Sequence, residues 1–337
     1  MNTDNYATWL EIDLRAIESN YKELQRITGK PVMPIIKANA YGHGFVEVAR
    51  KLENIGVKWC GVARIEEALL LRDIGLKMNI LVLGYTSPYR VSDALREKIS
   101  LTIYDFSVAD AYAEKIRGSR HPLRLHAKFD TGMGRLGVPL EDAVDFIKFL
   151  KNKPEFKIEG CFTHFACADE PDNPLTDEQL ERFENILREL TFLKIRPPIV
   201  HAANSAAAIY YPRSRFDLVR CGIALYGLPP SPIRPLPPSF LPAMSWKARL
   251  ISIKTLPKGH GVSYGVKYHT NQDERIGVIA VGYGDGLRRR PGNYVLLRNR
   301  RIPIIGNVCM DQCMLRLDEV PDAQIGDEVV LVGKQGK

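Results

Sequence analysis

The chain has 337 residues, 47 Lys plus Arg against 39 Asp plus Glu, a formal charge of +8, and 45% hydrophobic residues. That length supports a large core or two domains and excludes a fold held by staples alone, while 26% charged residues with prolines in separated places exclude wholesale disorder. Six thinly spread cysteines make no disulfide framework, the N-terminus lacks a basic segment followed by an apolar core, and no stretch reaches the roughly 18 apolar residues of a bilayer span, so a reduced, cytoplasmic protein without membrane contact is expected.

From about residue 8 to about 228, short β-rich runs alternate with helical patterns, the signature of an α/β architecture. Strands are predicted at 32–38, 59–62, 80–83, 101–103, 123–127 and 158–162, followed by helices at 43–55, 66–74, 89–97, 108–117, 140–150 and 177–190. Strand-like runs at 199–201 and 218–219 bring the count to about eight βα units, the number that closes a (β/α)8 TIM-like barrel; pattern alone leaves an open doubly wound sheet as the alternative. Pro229, Pro230, Pro232, Pro235, Pro237 and Pro238 then mark a boundary or a stiff loop. Beyond them, 244–253, 275–281, 294–297, 314–317 and 328–332 read as strands between glycine turns, with no long helix. The expected domains are therefore a barrel over 1–228 and a C-terminal β domain over 229–337, with the first strand of the chain free to pack in the second. The apolar run 329–332 beside Lys337 reads as an edge strand or as one whose continuation is missing, so the β domain is expected to lack its last part.

Lys37 stands at the C-terminal end of the first predicted barrel strand, before the glycines at 42 and 44, and that end of a parallel barrel is where active sites form. An amine there can form a Schiff base with an aldehyde cofactor, helped by the lower pKa that desolvation brings. Lys128, Asp130 and Arg135 follow the fifth strand, His164 the sixth, Asn204 and Ser205 the seventh, and Arg220, Gly222 and Ile223 the eighth, so all converge on one mouth. The Gly222 and Ile223 N–H groups with the Ser205 hydroxyl suit a phosphate. Gly132 to Gly137 matches G-x-G-x-x-G, yet Pro139 separates it from the next helix and the unit is the fifth, so no dinucleotide site is expected. The Cys309/Cys313 and Cys161/Cys167 spacings do not suit zinc, and all four read as buried thiols. His121, His126, His201, His260 and His269 read as structural or exposed, and no metal is expected. The arginines at 288–290, 298, 300 and 301 lack the aromatic interleaving of a nucleic-acid surface, so none is expected as partner.

Taken together, PIIKANAYGHG at 34–44, KFDTGMGRLG at 128–137, THFA at 163–166, ANS at 203–205, VRCGIALYG at 219–227, GVSYG at 261–265, VGYGDG at 281–286 and CMD at 309–311 resemble, in order and over nearly the whole chain, the alanine racemase family. The resemblance implies a fold-type III pyridoxal 5'-phosphate enzyme that interconverts L- and D-alanine, supplies D-alanine for peptidoglycan, and works as a homodimer with shared active sites. It makes Lys37 the residue that binds the cofactor and one of two catalytic bases, and Tyr264 the opposite-face base, contributed by the β domain of a partner subunit. Arg220 matches the arginine facing the pyridine nitrogen. Arg135 matches the contact to the cofactor phenolic oxygen and substrate carboxylate, and His164 the partner that orients the tyrosine. Lys128 matches a lysine often carbamylated, and both states stay open. Tyr41, Asn204, Ser205, Gly222 and Ile223 match the phosphate cradle or its support, and Tyr283, Arg289, Met310 and Asp311 the substrate-binding surface and access route. Asn307 departs from the pattern, since arginine is frequent there; the access route is then less positive unless Arg289 compensates. Relatives also continue past the Gly-Lys-Gln-Gly turn at 333–336, with another tyrosine for the cofactor phosphate.

These roles make physical sense. Racemisation removes a proton from one face of Cα and returns one to the other, so it needs two bases, and free lysine and tyrosine, both with pKa values near 10, must be tuned by their surroundings. A guanidinium stays charged, so the ring nitrogen opposite Arg220 stays unprotonated and the electron sink is weakened, which limits side reactions. Two alternatives stay open: a racemase for other or several amino acids, and a cofactor-binding homologue with impaired turnover because the C-terminus is short.

Overall fold

The computed structural model describes residue 3 and residues 5–336, so Lys337 lies outside it. Leu14–Ala243 makes one compact unit; the residues through Asp13, together with those from Met244 onward, make the other.

After β1 (Thr8–Ile12) come β2 (Val32–Pro34), β3 (Trp59–Val62), β4 (Asn79–Val82), β5 (Ser100–Ile103), β6 (Leu123–Lys128), β7 (Phe156–Phe162), β8 (Ile199–His201) and β9 (Val219–Cys221). β3 to β8 form one parallel sheet in sequence order, and β2 pairs with β9. A parallel bridge between Ile35 and Gly61 joins β2 to β3. The Asp217 and Arg220 N–H groups, each 3.0 Å from the Val200 and Ala203 carbonyls, join β8 to β9. The order is therefore cyclic, and the barrel, rather than the doubly wound sheet, is the fold. β2, β5 and β9 are buried along their whole length, as strands with a packed interior and a helical jacket must be.

Helices follow the strands, but β9 is followed only by the short turn Ile223–Tyr226. The helix Leu14–Thr28, which comes before the first barrel strand, packs on that turn and on the helices Phe45–Asn54 and Ser205–Tyr210. It buries Ile17, Tyr21, Leu24 and Thr28 along one stripe. Its buried Asn20 amide donates to the Leu225 and Leu241 carbonyls at 3.0 and 2.8 Å and accepts from Leu241 N–H at 2.8 Å. Those bonds fasten the end of the proline-rich segment to the barrel unit.

The second unit contains β10 (Met244–Leu256), β11 (Gly261–Val262), β12 (Tyr268–His269), β13 (Glu274–Ile279), β14 (Tyr294–Leu297), β15 (Arg300–Ile305), β16 (Cys313–Arg316) and β17 (Glu328–Val332). The antiparallel order β10-β13-β16-β15-β14-β17 returns to β10, and β1 adds to the outside of β10. Leu250, Ile279, Val295, Leu297, Ile302, Leu315 and Val329 fill its core.

Three expectations need correction. β17 is no edge, since β10 and β14 pair with it on both flanks. The strand expected over 32–38 ends at Pro34, because residues 38–41 take positive φ. β15 was hidden by Pro303, which is tolerated because it faces Tyr294 on one flank while the ladder to β16 starts only at Ile304.

Candidate active site

A cleft of about 440 Å³ opens at the C-terminal ends of the barrel strands, and Lys37, Tyr41, Lys128, Arg135, His164, Asn204, Ser205, Arg220, Gly222 and Ile223 all line it. The strand-end residues are thus brought to one place, except Asp130, which was expected at the mouth but does not line the cleft and turns its carboxylate into its own loop. Asp169 is the carboxylate among the lining residues, against four Lys and Arg side chains, so the cleft favours anions.

Behind Lys37 the chain winds left-handed: Ala38, Asn39, Ala40 and Tyr41 have φ of 52 to 56°. Each such residue costs about 1–2 kcal/mol, so the turn must be held from outside. Glu67 accepts from Ala38 N–H at 2.7 Å, and the Asn39 side chain accepts from Phe45 N–H at 2.8 Å. His43 stacks on Tyr226, whose hydroxyl donates to the Ile35 carbonyl at 3.1 Å. The turn brings the Tyr41 hydroxyl so close to Gly222 that a Cβ there would sit 2.4 Å from it, so a side chain at 222 would push the Tyr41 ring aside. Ser205 Oγ accepts from Gly222 N–H at 3.0 Å, and Asn204 caps the helix Ser205–Tyr210 through Ala207 N–H. A hydroxyl pair and a glycine with no room for a side chain make a cradle fitted to a phosphate group.

Arg220 is the hub. Its Nη1 donates to His201 Nδ1 at 2.8 Å, and its Nη2 reaches the Thr163 carbonyl at 2.9 Å, the Ala202 carbonyl at 2.9 Å and His164 Nδ1 at 3.1 Å. A guanidinium only donates, so both imidazoles accept on Nδ1 and carry their proton on Nε2. His201 Nε2–H then donates to His126 Nδ1 at 2.9 Å, and the His164 Nε2–H remains on the other side of its ring. Burial, then the Arg220 charge, pushes His126 down to about 3 and His201 well below the ordinary imidazole value. His164 is also well below it, through burial and then Arg220, Lys128, Arg135 and Lys37. Burial lowers Arg220 itself to about 9, still a cation at neutral pH. A buried cation held by neutral imidazoles and carbonyls, with no carboxylate among these partners, suits the lone pair of an aromatic nitrogen. Pyridoxal phosphate therefore fits the residues present.

Lys128 is pushed down to about 8, first by burial and then by Arg135 and Arg220. The loop after it is a compact nest, since Asp130 accepts from Gly132, Met133 and Gly134 N–H groups at 2.9, 2.9 and 3.2 Å. It returns to the barrel through the Phe129–Val138 bridge and delivers Arg135 instead of opening a helix. Sequence reasoning read His126 and His201 as structural or exposed; they are buried in β6 and β8, where their signal was a histidine within an otherwise enclosed strand. Cys161 and Cys313 are buried with thiols pushed up to about 12. Cys167 and Cys309 are half-buried, contrary to expectation. Among the described residues no cluster suits a metal ion and no helix is long and apolar enough to cross a membrane.

On the β unit, three loops meet. Asn307 Nδ2 donates to the Tyr264 carbonyl at 2.6 Å, Tyr283 N–H to the Cys309 carbonyl at 3.0 Å, and Gly284 N–H to the Met310 carbonyl at 2.9 Å. Tyr264 is 72% exposed, Met310 55% and Tyr283 42%, with Asp311 exposed beside them. Arg289 lies over the Tyr283 ring, 5.9 Å from its centroid. Asn307, the departure from the family pattern, thus braces the loop of Tyr264.

A closed parallel barrel whose mouth joins a strand-end lysine to a phosphate cradle, followed by an antiparallel β unit, defines a barrel enzyme of the cofactor-dependent class. The alanine racemase N-terminal domain model matches residues 12–230 and the C-terminal domain model 243–337. An alanine racemase of Symbiobacterium thermophilum is 44% identical over 332 residues, covering 98% of this chain and 88% of the relative. A solved alanine racemase of Clostridium difficile 630 superposes with a TM-score of 0.92 at 36% identity, over 98% of this chain and 88% of that one. A histidine racemase of Leuconostoc mesenteroides superposes with a TM-score of 0.89 at 32% identity, over 98% and 89%. The chain belongs to the alanine racemase family.

Proposed function

We propose that the protein interconverts L- and D-alanine with pyridoxal phosphate, in the cytoplasm, as a homodimer with shared active sites. Bound at the cleft, the cofactor supplies an electron-withdrawing ring and an aldehyde carbon that together acidify a substrate Cα–H. Lys37 binds the aldehyde and holds or releases a proton at Nζ on one face. Tyr41, Ser205, Gly222 and Ile223, with Asn204 fixing the helix end, hold the phosphate. Arg220 would stand opposite the ring nitrogen and keep it unprotonated, and Arg135 would bind the phenolic oxygen and the substrate carboxylate.

Tyr264 of the partner subunit moves the proton on the opposite face. The reading is supported by its exposure within one chain: a phenol must leave bulk water to act as a tuned base, and the large apolar groups Tyr264, Tyr283 and Met310 gather on one surface. His164, with Nε2–H as its only donor, favours the phenolate. Met310 and Asp311 shape the carboxylate site, and Tyr283 and Arg289 the access route. Carbamylation of Lys128 would give Arg135 an anion to brace it.

The carrying observation is Arg220, whose partners are imidazoles and carbonyls. Incubating the holoenzyme with each alanine antipode in deuterated water tests the reading, because interconversion with Cα exchange is expected and its absence overturns it. Similarity to a histidine racemase favours a second reading in which another amino acid is the preferred substrate. Comparing kcat/KM for alanine, serine, lysine, arginine and histidine decides between the two, since one methylene shifts discrimination only about 10- to 200-fold.

A further inference from the structure

We propose that Gln179, which does not line the cleft, is a positioning residue for racemisation: its buried carboxamide sets the separation between the loop that carries Arg135 and the loop that carries His164. The inference rests on the racemase reading.

Gln179 lies on the helix Leu175–Phe192, and its side chain is fully enclosed. Oε1 accepts from Ala166 N–H at 2.9 Å, while Nε2 donates to the His164 carbonyl at 3.0 Å and to Thr131 Oγ1 at 3.1 Å. A backbone N–H on one side and a carbonyl on the other allow one orientation of the amide. The bonds continue. Thr163 Oγ1 donates its single proton to the Phe129 carbonyl at 3.0 Å, so Thr131 must donate to Thr163, 2.7 Å away. One chain of donors thus runs from Gln179 through Thr131 and Thr163 to the end of β6.

Both ends of that chain reach the site. Residues 129–137 deliver Arg135, and residues 163–166 contain His164 and the Thr163 carbonyl that holds Arg220. The two loops come from different strands, and the amide bonds to both. From the same helix, Arg182 Nη1 donates to the Thr131 carbonyl at 3.0 Å, and a Cβ on Gly132 would sit 3.4 Å from Gln179 Cγ. A buried donor or acceptor left unpaired is costly, so loss of the amide forces one or both loops to move. Methionine at 179 keeps the shape without the bonds, and glutamate keeps the acceptor while losing both donors.

Two measurements on Gln179→Met test this. In the cofactor-free protein, amide hydrogen exchange is expected to quicken about tenfold in residues 129–137 and 163–168, with β3, β4 and β5 unchanged. In the holoenzyme, kcat for alanine is expected to fall about 10²-fold, the cost of displacing catalytic groups by about an ångström, with a larger Cα-deuterium isotope effect. A merely structural role lowers the active fraction and leaves that isotope effect untouched. Should Gln179→Met not fold, Gln179→Glu and Thr131→Val carry the same two measurements. Exchange that quickens across the barrel strands as much as in the loops, or a kcat and isotope effect equal to wild type, overturns the proposal. If the wild-type holoenzyme fails to racemise alanine, the racemase reading fails by itself, and the exchange measurement still decides whether Gln179 holds the loops.

Discussion

The two units treat their functional side chains in opposite ways. In the barrel, Lys128 and Arg220 are 4% and 3% exposed, and the Arg220 partners are fixed down to the tautomer of each imidazole. On the β unit, Tyr264 and Met310 stand 72% and 55% exposed, held by the backbone of their loops. The barrel can therefore orient a charged ligand alone, because its cations are desolvated and their geometry is enforced from behind. The β unit supplies a hydrogen-bonded loop cluster whose side chains stand in solvent within one chain. On the reading proposed above, one half of the chemistry is built into a single chain and the other half is supplied by a second copy.

The largest effect that can break this comparison is at Lys37. Lys37→Ala is expected to lower interconversion by at least about 10⁴-fold. Borohydride treatment followed by peptide mass mapping should no longer fix a pyridoxyl group at residue 37, and fixation at another lysine would end the assignment. Tyr264→Phe should cost about 10²- to 10⁴-fold in turnover, with Cα exchange in deuterated water lost from one antipode and kept for the other. Equal loss from both would show that the exposed phenol is not a face-specific base. Arg220→Ala leaves two carbonyls and two imidazole nitrogens without their donor, so a stability loss of at least about 3 kcal/mol is expected from urea unfolding. Asn307→Ala, on the exposed unit, should cost less than about 1 kcal/mol, and a larger loss there would erase the contrast between the units.

How much of this was legible beforehand follows the same division. Residues that line the cleft, such as Lys37, Arg135 and Ser205, stand in short runs at strand ends, where spacing and resemblance both find them. Gln179 carries no such mark, because its meaning lies in Thr131, 48 positions away, and in two backbone groups that only the fold brings near. His201 and His126 were visible as histidines but not as the bearings of Arg220, since a tautomer follows from contacts. The left-handed turn at 38–41 was hidden for a different reason: the alanines there suggest a helix or a strand, and the turn is held by Glu67 from outside and by the bond of the Asn39 side chain to Phe45 N–H. The parallel strands were readable because enclosed strands leave apolar runs, while their closure into a barrel needed the Ile35–Gly61 bridge and the bonds from β8 to β9.

Lys128 gives the sharpest test, because its effect is read from the pH dependence of stability. Its folded pKa of about 8 lies below that of an unfolded lysine, so below pH 8 both states are protonated and folding bears the full cost of burying the charge. As pH rises from 8 toward 10.4, the folded protein releases the proton while the unfolded chain keeps it, and stability should rise by on the order of 3 kcal/mol. Lys128→Met should flatten that rise in urea titrations of the cofactor-free protein. The same lowered pKa leaves a share of free amine near pH 8 that can add to carbon dioxide, releasing a proton and placing a carbamate beside Arg135 and Arg220. That anion would sit among cations and remove the burial cost, and because forming it from the ammonium releases protons that the unfolded chain takes back, stability would be higher throughout and would still rise with pH. Repeating the titration with ¹³C-bicarbonate therefore separates the two states: a carbamate resonance that Lys128→Met removes should accompany a gain in stability over the bicarbonate-free protein, and unchanged stability without the resonance means that the lysine is unmodified.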